Sequence, residues 1–311
     1  PAEERGAKTR ALTGYEIAAR LSFFIWASTP DAELLDDAAG GRLSTADDVG
    51  NAARRLLKDA RAVAGMRSFH RQWLDLRKLE TESKDAALYP TYSRELKDAM
   101  VEETLRFGAH TVLEGGDGFT SLLTSKKSFV NPLLAKLYGL APPSKQGFAL
   151  VDLPANERSG LLTHASVMTA HASAEQGSPI LRGKFVREKL LCQVIPPPPA
   201  NVVITPPKFD PKLTKKSQFA MHQTDPGCAS CHRMMDPIGF GFDHYDAIGA
   251  WRTVDGAFPV DVVGELTGTD IADGDFDGAV ALGAKLATSP LARRCFATQW
   301  FRAALGRVEN S

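Results

Sequence analysis

The chain has 311 residues, with 37 basic and 37 acidic side chains and an apolar share of 43%. A net charge near zero leaves no electrostatic footprint for nucleic acid or for an anionic membrane surface. No run approaches the roughly 18 apolar residues of a spanning helix; the best candidate, residues 17–27, is too short and carries Arg20. The length suggests about two domains. The first residue is Pro1, so the chain reads as a processed or trimmed piece in which a missing secretory signal says little about compartment.

The N-terminal half reads as helical. Residues 15–27 form one candidate. Pro30 sits at a helix start with Asp31 and Glu33 in the first turn, and Gly40-Gly41 ends that element. Ser44 or Thr45 caps a helix whose apolar stripe is Val49, Ala52, Ala53, Leu56 and Leu57. Residues 60–79 continue with Met66, Phe69, Trp73 and Leu76. Residues 93–113 are long and amphipathic, with Glu95, Glu102 and Glu103, whose default place is a solvated face; the Gly115–Gly118 stretch breaks them. Asn131-Pro132 is a cap followed by proline at the first helical position, opening residues 133–140. A boundary falls at 141–146.

Beyond it, residues 160–172, 181–193 and 212–222 are helix candidates, interrupted by Pro196–Pro199, a polyproline segment that serves as a linker or as a strap across a partner. Residues 257–266, with Phe258, Val260, Val262 and Val263, carry the one β signal, enough for a short hairpin. Residues 277–286 and 291–305 close the chain as helices. No internal repeat is present.

The chemistry concentrates in GCASCHRMMDPIGFGFDHYDAIGAWR, residues 227–252. From composition alone a C-x-x-C-H arises by chance in roughly one such chain in a thousand. The pattern is the haem c attachment signature: two thiols three apart reach the two vinyl groups of one haem edge, and the adjacent histidine lies under the iron. Here these are Cys228, Cys231 and His232, with His232 the proximal metal ligand. A zinc site would use the same cysteines but needs two further ligands; there is no second CxxC, and His222 or His244 would have to serve. A redox dithiol expects a βαβ setting that the Gly- and Pro-rich surroundings do not supply.

The sixth ligand stays open. Met235 is near in sequence, although residues two or three after His232 have difficulty reaching the opposite haem face. Met168 and His222 are further candidates, with Met221, His164 and His171 behind them; Met168 also fits an apolar core stripe. An open sixth position would mean ligand binding or catalysis, a filled one electron transfer. Asp236-Pro237-Ile238-Gly239 reads as a turn. Phe240, Phe242, Tyr245 and Trp251 would wall a haem or form ordinary core, and Arg252 or Arg233 would pair with propionates or stay solvated. The run from Asp273 to Gly278 resembles half a calcium loop but has Ala284 where the bidentate glutamate belongs, so Asp275 or Asp277 reads as a helix cap. Cys192 and Cys295 would pair in an oxidising compartment or remain buried thiols.

TGYEIAARLSFFIWASTPDAELLDDAAGGRL with FHRQWLDLRKLE resembles the first of several tandem domains of unknown function in large exported planctomycete and myxobacterial cytochrome-like proteins. RSGLLTHASVMTAHASAEQGSPILRGKFVREKLLCQVIPPPPANV, through HQTDPGCASCHRMMDPIGFGFDHYDAIGAWR, is similar to the next, and residues 254–307 to the C-terminal one. The resemblance implies export, covalent haem and a redox role. It carries over Cys228, Cys231 and His232, with His222, Met235, Asp236 and Gly239 as motif positions of unassigned role. An exported setting also favours the Cys192–Cys295 disulfide.

The expectation is therefore a mainly α protein. A multi-helix domain over 1–142 precedes a helical, cytochrome-c-like haem domain over 143–254, which contains the polyproline segment 196–199. A C-terminal hairpin and helical domain over 255–311 packs on it, with at most a small β-hairpin in all. The function expected is electron transfer by covalently bound haem c in the periplasm or at the cell surface, with a redox partner protein or an upstream cytochrome domain, no nucleic acid and no membrane span. The alternatives are a haem oxidoreductase with an open, peroxidase-like distal site, or a structural or binding module whose CxxCH holds zinc or a disulfide.

Overall fold

The first three helices begin where the sequence supplies an oxygen to the first turn. In this computed structural model, which describes residues 10–115, 117–144, 146–197, 210, 212–224 and 227–308, Thr13 caps α1 (Gly14–Trp26) in a capping box with Glu16. Asp31 caps α2 (Ala32–Ala39), and Thr45 caps α3 (Ala46–Leu57) in a second capping box with Asp48. Each such cap contributes about 1 kcal/mol. Pro30 lies just before the Asp31 cap rather than inside the helix. The chain divides into two compact units, residues 1–69 with 300–311, and residues 70–299. α4 (Ala62–Trp73) and α14 (Pro290–Leu305) contribute residues to both.

In the first unit Ala18, Ile25, Trp26, Leu34, Leu56 and Met66 are buried. The Trp26 indole donates to the Leu56 carbonyl at 2.8 Å, and the Arg61 guanidinium lies over its ring at 3.5 Å. Asp31 does double duty: it caps α2 and receives a two-pronged hydrogen bond from Arg55. That pair holds the Asp31 carboxyl down at about 2.

The second unit is organised on α6 (Arg94–Glu114), preceded by the short α5 (Lys78–Thr81) and followed by α7 (Gly118–Thr124) and α8 (Pro132–Leu137). Asn131 caps α8 with Pro132 in the first turn, as its sequence demands. Leu96, Ala99 and Met100 of α6 pack with Val130, Leu134, Tyr138, Leu153, Ala165, Ala170 and Ile248 in one core cluster. Residues on both sides of the 141–146 boundary therefore share a core.

The segment 160–172 is a 3₁₀ turn, Leu161–Thr163, followed by α9 (Ala165–Ala170), not one helix. α10 (Pro179–Phe185) runs into a π-helical turn, Val186–Leu190. Then come α11 (Lys215–Thr224), α12 (Ala229–Phe240) and α13 (Gly278–Thr288). Helix dominates, as expected, but among the described residues three antiparallel two-stranded sheets replace the single hairpin. These are β1 (Lys127–Val130) with β2 (Ala149–Asp152), β3 (Val254–Asp255) with β4 (Phe258–Pro259), and β5 (Val263–Leu266) with β6 (Gly274–Asp277). The calcium-like run falls on β6, with Asp277 at the helix-cap position of α13 but making no capping hydrogen bond. Pro198 and Pro199 of the polyproline segment lie outside the described residues.

Cys192 and Cys295 form a disulfide with Cα atoms 5.4 Å apart, bridging 103 positions within the second unit. Cys192 takes a left-handed φ of 53°, a conformation uncommon for a residue with a Cβ.

Candidate functional site

The turn expected at Asp236–Gly239 is helical. α12 starts directly after Cys228 and runs through Pro237 to Phe240. Proline inside a helix removes one donor and normally weakens it, so the helix needs outside support. α10 supplies it at two glycines. A Cβ on Gly183 would lie 1.9 Å from the Met235 carbonyl oxygen, and one on Gly239 would lie 1.9 Å from that of Pro179. Gly239 is thus there for close backbone approach, not for a positive φ. From the π-helical turn, the Arg187 guanidinium donates to the Met234 carbonyl at 2.9 Å, to the Thr267 carbonyl at 2.7 Å and to Gln193 Oε1 at 2.7 Å. One buried cation therefore ties α12 to the residue beside the disulfide.

On this braced helix Cys228 takes the cap position, and its carbonyl accepts from the backbone N–H of Cys231 and of His232, both at 3.2 Å. Positions i, i+3 and i+4 share one helix face, so Cys228, Cys231 and His232 lie along a single turn. Both cysteines are half-buried thiols. His232 Nδ1 lies 3.1 Å from each carboxylate oxygen of Asp236, one turn on; the Asp236 side chain is wholly buried, that of His232 17% exposed.

The remaining candidates lie elsewhere. Met235 is buried on α12 itself. As residue i+3 from His232 it projects to the same side of the helix, which does not bring it round to the far face of a haem that His232 would bind. Met168 is buried in α9. The side chains of Met221 and His222 lie outside the described residues. His164 and His171 are core groups, His171 packed 4.4 Å from the Phe185 ring. Phe240, Phe242 and Tyr245 are buried in the core, and Tyr245 donates to the Glu157 carbonyl. Trp251 stacks on His244 at 4.1 Å, while His244 Nδ1 donates to the Arg252 carbonyl at 2.8 Å. Arg252 is engaged with the Asp255 carboxylate at 2.5 Å and the Asp243 carbonyl at 2.9 Å. Burial pushes the Asp243 carboxyl up to about 6, against the pull of Lys215, Arg252 and Arg182.

Among the described residues, no three His, Cys, Asp or Glu side chains are grouped to hold a metal ion. Zinc needs its ligands to converge on one point. Haem c does not: its thiols bond the porphyrin edge and only the histidine reaches the iron. The CASCH turn fits the second demand, with two thiols and an imidazole on one face and the imidazole's orientation set by a buried carboxylate.

A second polar cluster was not foreseen. Glu103 is buried completely, not solvated. Ser128 Oγ donates to its Oε1 at 2.8 Å and Tyr138 OH to its Oε2 at 2.6 Å. Ser128 also lies 3.3 Å from His164 Nε2, and His164 Nδ1 lies 2.9 Å from Thr104 Oγ1. Arg158 covers the Tyr138 ring at 3.8 Å and donates to the Thr163 and Gly249 carbonyls. Burial raises the Glu103 carboxyl to about 7 and, with Arg158 adding, lowers the His164 imidazole to about 3. The signal was in the spacing: Glu103 falls on the stripe Leu96, Ala99, Met100 and Phe107 of α6, which is the buried face.

Residues 12–140 match the family described as PSD4, protein of unknown function (DUF1592), and residues 158–255 match PSCyt3, protein of unknown function (DUF1588). The chain carries these two domains in tandem. No curated protein and no solved structure matches it. The CASCH turn lies inside the PSCyt3 segment. The Glu103 cluster draws Glu103, Thr104, Ser128 and Tyr138 from the PSD4 segment and Arg158 and His164 from the PSCyt3 segment, so the two segments meet in a shared polar core. No helix among the described residues is long and apolar enough to cross a membrane.

Proposed function

We propose that this chain is an exported c-type haem protein that transfers electrons, with haem c attached through Cys228 and Cys231 and His232 as the proximal ligand. One observation carries the reading: both thiols and the imidazole occupy one turn at the start of α12, and His232 is held through Nδ1 by the buried Asp236. When bound, the haem supplies one-electron chemistry that the side chains lack. The residues of the chain do the rest. The two thiols fix the position of the group, and Asp236 fixes the tautomer and orientation of the ligand. α10 and Arg187 hold α12 in place, which would keep His232 fixed as a ligand. The Cys192–Cys295 disulfide fits an oxidising compartment, periplasmic or at the cell surface. The partner would be a redox protein or an upstream cytochrome domain.

The test is acid–acetone extraction of protein from a host that matures cytochromes c, for wild type and Cys228→Ala. The expected result is haem that stays with the wild-type polypeptide and a spectrum altered by loss of one thioether in the variant. Haem that extracts freely, or a variant indistinguishable from wild type, overturns the assignment.

A further inference from the structure

We infer that Asp236 is a positioning residue that makes His232 a strongly electron-donating iron ligand and so sets a low reduction potential, with the ferric form favoured. The inference rests on the haem reading above and adds to it the tuning of the iron and the class of partner.

Nδ1 of His232 faces both oxygens of Asp236 at 3.1 Å, so the ring proton is held there and Nε2 is the nitrogen presented for coordination. A carboxylate on the far nitrogen increases the basicity of a ligating imidazole. A more strongly donating ligand stabilises the more highly charged iron, which lowers the potential. A backbone carbonyl, the other common partner of a ligating histidine, is neutral and does this less.

Placement makes the effect large. The Asp236 side chain has no exposed surface, so bulk water does not screen the interaction. The carboxylate is also fixed in position. α10 packs close against Met235, just before it, through Gly183, and against Gly239, three residues on, through Pro179. Pro237 follows immediately, and Arg187 holds the carbonyl of Met234 just before it. The backbone that carries Asp236 is thus held both before and after it. A haem tuned in this way would pass an electron, received from a donor of lower potential, readily onward. The fitting partner is an acceptor of higher potential, such as a second haem protein with a neutral axial environment, rather than a donor of similar potential.

The experiment is a spectroelectrochemical titration of the matured holoprotein, comparing wild type with Asp236→Asn and Asp236→Glu. Asn keeps the shape and removes the charge; Glu keeps the charge. The expected result is a more positive midpoint in Asp236→Asn by at least tenfold in the ferric-to-ferrous equilibrium, about 59 mV for one electron, with Asp236→Glu returning part of the way. A midpoint unchanged in Asp236→Asn, in protein that binds haem covalently, overturns this inference and leaves the haem reading intact. Wild-type protein without covalent haem overturns the haem reading itself. Because Asp236→Asn risks misfolding, wild-type holoprotein labelled at histidine nitrogen gives a second reading by NMR. A strongly downfield proton on His232 Nδ1 is expected, and iron coordination through Nδ1 refutes the inference without any variant.

Discussion

Replacing Glu103 with Gln isolates the energetic consequence of burying an acid where the two family segments meet. The carboxyl titrates at about 7 in the folded protein, against its ordinary 4.5. Between those values the folded chain holds a proton that the unfolded chain has lost. Stability therefore falls as pH rises through this window and is level above it. The interval corresponds to about 3 kcal/mol. Gln fits the same hydrogen bonds: its carbonyl accepts from Tyr138, and its amide donates to Ser128, whose own hydroxyl hydrogen then turns to His164 Nε2, 3.3 Å away. His164 contributes with the opposite sign. Its imidazole stays neutral down to about 3, so stability falls as pH drops from 6.5 toward 3. Urea unfolding at fixed ionic strength from pH 4.5 to 8 measures the difference directly. Glu103→Gln should gain on wild type steadily across the window, reaching up to about 3 kcal/mol at its top. Parallel stability curves would refute the reasoning.

Replacing both Cys192 and Cys295 with Ser opens a link across 103 positions, and the loop-closure entropy of the unfolded chain then costs about 4–5 kcal/mol; an unchanged denaturant midpoint would contradict this. Two glycines inside helical segments should respond oppositely to Ala. Gly183→Ala drives a Cβ into the Met235 carbonyl and should cost roughly 1–3 kcal/mol. Gly50→Ala, with nothing nearer than 3.8 Å, should gain up to about 1 kcal/mol. Thermal unfolding of the two variants separates close helix packing from intrinsic propensity.

Much of this architecture could be read from local chemistry. Thr45 and Asn131 are caps because a short oxygen-bearing side chain satisfies first-turn N–H groups whatever the tertiary context, and Asn131-Pro132 places its helix correctly. What failed was non-local. Asp236-Pro237-Ile238-Gly239 has turn composition but is helical, because α10 and Arg187 stabilise a helix that the sequence around Pro237 disfavours. β1 and β2 are four residues each, separated by α8, so neither shows enough alternation to register as a strand. Glu103 looked solvated because charge was weighed above its place on the buried stripe of α6. Its partners Ser128, Tyr138 and His164 lie 25 to 61 positions away, beyond the reach of any spacing rule. That Cys228, Cys231 and His232 share one helical turn follows from a spacing local to five residues. The contact of Asp236 with His232 was not legible, since an aspartate four residues past a histidine is commonplace until both share a helix face.

The central claim is that Cys228, Cys231 and His232 hold a haem. A pyridine haemochrome spectrum, with metal analysis of the same sample from a cytochrome c-maturing host, tests it most directly. The account expects one covalently bound haem iron per chain, with the spectrum of a haem bound through two thioethers. Zinc, or protein free of metal, would contradict it and leave CASCH as a structural turn.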